Sequence, residues 1–145
     1  MIESQKLNIL IVEDDYRLLA EWKESLEEAG HKVSIAANGK YAIRLLDQAF
    51  DCFIIDLFHV QGEDFLPDGG ITVLSRIRKH YMKSQQPFII AVTGFFKESK
   101  DGLISTDQVA QNLGANITLK KPIDPDAFIS HIDSWVTEIN STKSI

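Results

Sequence analysis

The stretch NILIVEDDY, residues 8–16, runs four consecutive aliphatic side chains straight into three carboxylates. A continuous apolar run of this length predicts a strand covered on both faces, as in the interior of a parallel sheet. Its ending is the puzzle, because neighbouring carboxylates repel unless one is protonated or a cation neutralises them. Asp15 has a local use, as N-cap of the helix that follows. Glu13 and Asp14 need a different reason to stand there.

Working outward, apolar runs rich in Ile and Val recur at 32–36 (KVSIA), 51–57 (DCFIIDL), 87–92 (PFIIAV) and 116–119 (NITL). Helical spacing fills the intervals. Leu18, Leu19, Trp22, Leu26 and Ala29 fall at steps of three and four and stop at Gly30. Ile43, Leu46 and Phe50 continue the pattern, as do Ile71, Leu74 and Ile77. A short helix is predicted from Ser105 or Thr106 through Val109 and Leu113, closed by Gly114. The last helix carries Asp124 as N-cap, Pro125 at its first position and Asp126 in its first turn, with Phe128, Ile132, Trp135 and Ile139 as its buried stripe. Five strands alternating with five helices predict an α/β fold, a doubly wound parallel sheet with helices on both faces. Ligands of such sheets bind beyond the carboxyl ends of the strands, where strand order reverses. That rule gathers the polar endings: Glu13 and Asp14 after the first strand, Asp56 at the end of the third, Thr93 of the fourth, Lys121 after the fifth.

With 145 residues, 44% of them hydrophobic, the chain is expected to form one domain over 1–145, its core at about 6–140 and a polar tail at 141–145. No stretch approaches the roughly 20 apolar residues of a membrane span. The acid-bearing start MIESQK lacks the apolar core of a signal peptide, and the single Cys52 fits a reducing compartment, so a cytoplasmic location is expected. Cys52 reads as a small core residue. A net charge of −6 weighs weakly against direct nucleic-acid binding. His31, His59, His80 and His131 show no paired ligand spacing and read as surface or loop residues. Asp51, Glu63, Asp64 and Asp68 read as a solvated acidic scatter.

A few carboxylates with room for water suit magnesium, whereas zinc prefers His or Cys. A magnesium ion beside an ammonium and a hydroxyl suits a phosphoryl group, and leaves one aspartate to act as nucleophile. No glycine-rich nucleotide cradle is present. Each residue has a plainer reading: Asp56 as a cap or solvated strand end, Thr93 as a β-branched strand residue, and Asp15 as an alternative metal ligand to Asp14.

Taken together, ILIVEDD, FIIDL, AVTG and LKKP, in this order and spacing, resemble the receiver domain of two-component response regulators over essentially the whole chain. The resemblance implies a flavodoxin-like fold of strand order 2-1-3-4-5. It implies Mg2+ held by Asp14, Asp56 and the backbone carbonyl of Phe58, with Glu13 acting through water. It implies Asp56 as phosphoacceptor, Thr93 as switch hydroxyl, Lys121 as the phosphoryl-pairing lysine and a small Gly94 at the entrance. Lys121-Pro122 matches a cis bond of the family. The implied partners are a histidine kinase or histidine phosphotransfer protein and a downstream protein target, with no direct nucleic acid and no membrane. The chain is read as a signalling domain, not an enzyme, either standing alone or cut from a larger regulator or hybrid kinase. A receiver-like binding module without phosphorylation is the alternative. A magnesium-dependent aspartyl-phosphate phosphohydrolase is disfavoured, because LFHV after Asp56 offers no second aspartate as acid–base.

Three departures from the family pattern stand out. The segments 57–70 and 94–115 are longer than usual and border the site, and Thr118 replaces the usual switch aromatic, with Phe95 and Phe96 as candidate substitutes. Phe58 and Phe95, two residues after the phosphoacceptor and two after the threonine, are large and apolar. They cannot orient an attacking water, so slow self-dephosphorylation is expected.

Overall fold

A computed structural model describes residues 6–57, 70–93 and 114–143. The predicted helix at 105–113 and the residues Phe58, His59, Glu63, Asp64, Asp68, Gly94, Phe95 and Phe96 lie outside the described residues.

Strand β1 (Asn8–Val12) leads into α1 (Tyr16–Glu28), β2 (Lys32–Ala36), α2 (Gly39–Arg44), β3 (Cys52–Asp56), α3 (Gly70–His80), β4 (Phe88–Thr93), β5 (Ile117–Lys120) and α4 (Pro125–Lys143). The five strands form one parallel sheet in the order β2-β1-β3-β4-β5, the flavodoxin-like order that the resemblance implied. Strands β3 and β4 are buried at every position and β1 at all but its first, while the edge strands β2 and β5 are only partly covered. The most continuously apolar runs therefore take the middle of the sheet.

Alternation along each strand divides the core into two layers. Ile9, Ile11, Ile54, Ile90 and Val92 face α1 and α4, where Leu19, Trp22, Leu26, Phe128 and Ile132 meet them. Leu10, Val12, Phe53, Ile55, Ile89 and Ala91 face α2 and α3, covered by Ala42, Leu46, Val73, Leu74 and Ile77. Trp22 and Phe128 meet edge to face at 5.0 Å, tying α1 to α4, and Trp135 stacks on Phe88 at 5.3 Å. Truncating a fully buried aromatic such as Phe128 to alanine is expected to cost about 3–5 kcal/mol.

The helix starts follow the sequence signals. Asp15 caps α1 by accepting from the backbone N–H of Arg17 (2.9 Å) and Leu18 (3.3 Å), and Asp124 accepts from Asp126 N–H at 3.0 Å. The second helix stops earlier than its apolar spacing suggests. Beyond Arg44 a single 3-10 turn, Leu45–Asp47, lets the chain swing into β3. Phe50 is buried all the same, with its N–H donating to the Tyr81 hydroxyl at 3.0 Å.

Two readings of polar residues need correction. His31 is not a surface residue: it is buried, and its Nδ1 accepts the Leu7 backbone N–H at 3.2 Å. The chain enters β1 beside the α1–β2 turn, leaving that N–H without a strand partner, and the imidazole supplies the acceptor. Asp51, although exposed, accepts the Asn8 N–H at 2.8 Å and so fastens the start of β1 to the start of β3.

Arg78 is the most heavily used polar side chain at this end of the sheet. Its guanidinium donates to the Gly114 carbonyl (Nε, 2.7 Å, and also Nη2), the Pro87 carbonyl (3.1 Å), Gln86 Oε1 (2.9 Å) and Asn116 Oδ1 (3.0 Å). Asn116 in turn accepts from Ile89 N–H at 2.7 Å, which ties the entry of β5 to β4. Gly114 has φ +110°, and a Cβ there would stand 2.6 Å from Arg78 Nε, so this position has two reasons to be glycine.

Candidate functional site

The parallel register brings the polar strand endings together. Val12 pairs with Ile55, so Glu13, one residue on, falls level with Asp56; Asp56 pairs with Val92, and Thr93 with Lys120. Glu13 and Asp56 are fully buried and Thr93 is 2% exposed. Glu13, Asp14 and Asp56 each offer a carboxylate oxygen within 4.8 Å of the others.

Lys121 is the cation that holds this cluster together. It follows β5, its N–H donates to the Thr93 carbonyl at 2.9 Å, and its peptide bond to Pro122 is cis. Its ammonium lies 2.8 Å from Glu13 Oε2 and 3.5 Å from Asp56 Oδ2. Burial pulls the ammonium's pKa down, but the hydrogen bond to Glu13 and the charge of Asp56 outweigh it and hold the pKa above the ordinary lysine value. Glu13 responds in the opposite sense. Burial, and then the negative charge of Asp56, push its carboxyl up to about 7 despite Lys121. One ammonium does not compensate several buried carboxylates.

Asp14, half-buried, adds its carboxylate beside these two, and Asp15 is turned away into the α1 cap. Thr93 Oγ1 is buried without a hydrogen-bond partner among the described residues. A buried hydroxyl costs free energy when unpaired. Its position among the strand ends provides a donor for an acceptor arriving from outside.

The donor set fits a hard divalent cation. It consists of oxygens only and carries a surplus of negative charge. The carbonyl of Phe58 and the small Gly94 fall outside the described residues. Thr118 sits on β5 paired with Ala91, on the same sheet face as Thr93, and its Oγ1 is also buried without a partner.

Two contributors escaped the sequence reading. A Cβ on Gly70 would stand 2.2 Å from the Asp56 carbonyl oxygen and 2.6 Å from Leu57 Cα, so α3 begins against the backbone of the central acid. The double glycine in LPDGG was the available signal. Trp22, read only as core, presents its ring 6.0 Å from the Lys121 ammonium, near the outer limit of a cation–π contact. Nothing in the spacing of positions 22 and 121 announces that meeting.

With the geometry in hand, comparison with known proteins is direct. The family model of the response regulator receiver domain matches residues 9–133. The transcriptional regulatory protein CrdR of Helicobacter pylori (strain ATCC 700392 / 26695) is 33% identical over 131 residues; the match takes in 90% of this chain and 55% of that protein. The chain thus spans about half the length of that curated relative. Among solved structures, a CheY-like response regulator receiver domain protein from Methanospirillum hungatei JF-1 is 25% identical and superposes with a TM-score of 0.72 over 96% of this chain and 99% of the other. A two-component response regulator from Clostridium difficile, 20% identical, gives a TM-score of 0.75 over 94% and 99%.

Proposed function

Since the chain belongs to the receiver domain family of two-component response regulators, we propose that it accepts a phosphoryl group on Asp56 from a phosphohistidine of a partner protein. The observation that carries this reading is the surrounding of Asp56. A fully buried carboxylate at a strand end has two more carboxylates within 4.8 Å, an ammonium at 3.5 Å and an unsatisfied threonine hydroxyl on the next strand.

The transfer is a displacement at phosphorus. An Asp56 carboxylate oxygen attacks, the P–N bond of the phosphohistidine breaks with its electron pair returning to the imidazole, and an acyl phosphate remains. Glu13, Asp14 and Asp56 would hold Mg2+, which supplies charge neutralisation for the phosphoryl oxygens. Lys121 exchanges its contact with Asp56 Oδ2 for one with a phosphoryl oxygen, and keeps Glu13 as its fixed partner. Thr93 donates its hydroxyl to another phosphoryl oxygen, which satisfies the group left unpaired beforehand. Electrostatic positioning does most of this work, because no protein group needs to move a proton at the reacting centre.

The partners in this reading are a histidine kinase or histidine phosphotransfer protein upstream and a protein target downstream, in the cytoplasm, with residues 1–145 acting as one receiver domain. Among the described residues no helix is long and apolar enough to cross a membrane. Phe58 and Phe95 are assigned the role of leaving an attacking water without a hydrogen-bond partner, which gives a long-lived phosphorylated state.

Intact mass measurement after incubation with acetyl phosphate tests the proposal. The wild-type chain with Mg2+ is expected to gain one phosphoryl group, lost on treatment with hydroxylamine. Asp56→Asn, or the wild type in EDTA, is expected to gain none. Equal labelling of Asp56→Asn and wild type overturns the assignment.

A further inference from the structure

Charge is distributed unevenly along the chain. Segments 37–50 and 70–87, which contain α2 and α3, hold six Lys and Arg residues against the single acid Asp47. They carry +5 in a chain of −6, so everything else together carries −11. Arg78 is committed to the carbonyls around Gly114. Lys40, Arg44, Arg76, Lys79 and Lys83 remain exposed, with His80 beside them.

Helix-end electrostatics accounts for part of this cluster. Lys79 and His80 stand in the last turn of α3 and Arg44 in that of α2, where cations complement the helix dipole. Lys40 stands in the first turn of α2, where the dipole disfavours a cation, and Arg76 lies further back along α3. Neither has an ion pair among the described residues. The surplus is therefore larger than helix stability asks for.

The same surface is concave. Ile43, Leu46 and Asp47 from the α2 side and Arg76, Lys79 and His80 from α3 line a groove of about 440 Å³. Its floor is apolar and its α3 wall basic. Tyr41 (53% exposed) stands on α2, and Met82 (69% exposed) follows α3 by two residues. Both helices run antiparallel to the strands, so the groove lies towards the end of the sheet remote from Asp56.

We propose that the α2–α3 groove docks an acidic amphipathic segment of a partner protein, one or two apolar side chains entering over Ile43 and Leu46 and flanking carboxylates meeting Arg76 and Lys79. A protein segment suits this surface better than nucleic acid. A long polyanion also meets the field of the remaining −11, whereas a short segment feels mainly the charges within a Debye length of about 8–10 Å. The apolar floor, moreover, offers a phosphodiester backbone nothing, while it suits the one-sided apolar face of a helix in a groove.

The test uses the full unphosphorylated chain, so its outcome is independent of Asp56 chemistry. A fluorescein-labelled peptide of about twelve residues, with Leu at helical spacing and Glu elsewhere, is titrated with protein and followed by anisotropy. Saturable binding is expected at about 0.05 M salt and strong weakening at about 0.5 M. Arg76→Glu combined with Lys79→Glu is expected to weaken it by at least about tenfold. Lys32→Glu, an exposed charge reversal on β2, is expected to leave it unchanged, and replacing the peptide's Leu by Ser is expected to abolish it. The proposal is overturned by absence of binding, by equal loss in Lys32→Glu, by indifference to the α2–α3 reversals, or by tighter binding of an oligo(dT) strand than of the peptide. Circular dichroism of each variant establishes that these exposed substitutions leave the fold intact.

Discussion

The two ends of this sheet treat buried polar groups in opposite ways. Where the strands begin, the polar side chains have been given partners: Asp51 and His31 receive the N–H groups of Asn8 and Leu7, Tyr81 that of Phe50, and Arg78 and Asn116 bind each other and four further groups. Where the strands end, Glu13 and Asp56 are packed together and share the Lys121 ammonium, and the Thr93 hydroxyl has no hydrogen-bond partner among the described residues. The same sheet thus has one end that fastens the fold and another where like charges are held together around one lysine. Polar satisfaction is what sets the two ends apart.

This contrast is breakable. The largest effect on stability is expected from Arg78→Ala, which strips donors from the Gly114 and Pro87 carbonyls and from Asn116. Loss of several partly buried charged hydrogen bonds is expected to cost about 3 kcal/mol or more, lowering Tm by roughly 10 °C. Acetyl phosphate labelling of the folded fraction should persist. A loss below about 1 kcal/mol, measured by urea unfolding, would show that this end is not the fastened one.

At the other end the sign reverses. Glu13 has a carboxyl pKa raised from 4.5 to about 7, so folding favours its protonated form. Its contribution is full below the unfolded value and lost as pH rises through about 7. In Mg2+-free buffer at pH 8, Glu13→Gln is therefore expected to be more stable than wild type by about 2–3 kcal/mol, the difference vanishing near pH 4. Phosphorylation by acetyl phosphate should fall at the same time. A destabilised Glu13→Gln at pH 8 would mean that its ion pair with Lys121 outweighs the repulsion from Asp56.

His31 gives the smallest and sharpest discrimination. Burial lowers its pKa from 6.5, partly opposed by the charge of Asp133. A lowered histidine pKa contributes stability above the unfolded value and loses it as pH falls through the folded value. Protonation also removes the lone pair on Nδ1 that accepts from Leu7. Between pH 7 and 5, His31→Gln should flatten this part of the stability curve, while Glu13→Gln flattens a part of opposite slope. If both variants change the slope in the same sense, the two ends are not electrostatically distinct.

Much of this molecule is legible in its sequence because strands and helices differ in period. The runs at Ile9–Val12, Cys52–Ile55 and Ile89–Val92 announce a buried parallel sheet, and the acid, hydroxyl and lysine that close them announce the site. Asp15 and Asp124 declare their helices through capping chemistry that is local in sequence. Long-range polar partnerships carry no such period. Arg78 meets Gly114 across 36 positions and His31 meets Leu7 across 24, and neither residue type differs in sequence from an exposed one. Gly70 escaped for a related reason, since its need is a close approach to Asp56, visible only once α3 is laid against β3.

The place of Trp22 has a practical consequence. The chain has two tryptophans, and they occupy different surroundings. Trp22 is fully buried with its ring facing the Lys121 ammonium at 6.0 Å, and Trp135 is half-buried and stacked on Phe88. An indole's emission shifts with the electric field across its ring, so an anion that drew the ammonium towards it would be expected to alter the Trp22 spectrum and leave that of Trp135 nearly fixed. The protein carries its own optical gauge of site occupancy, with an internal reference, and a Trp135→Phe chain would read the site alone, without any attached dye.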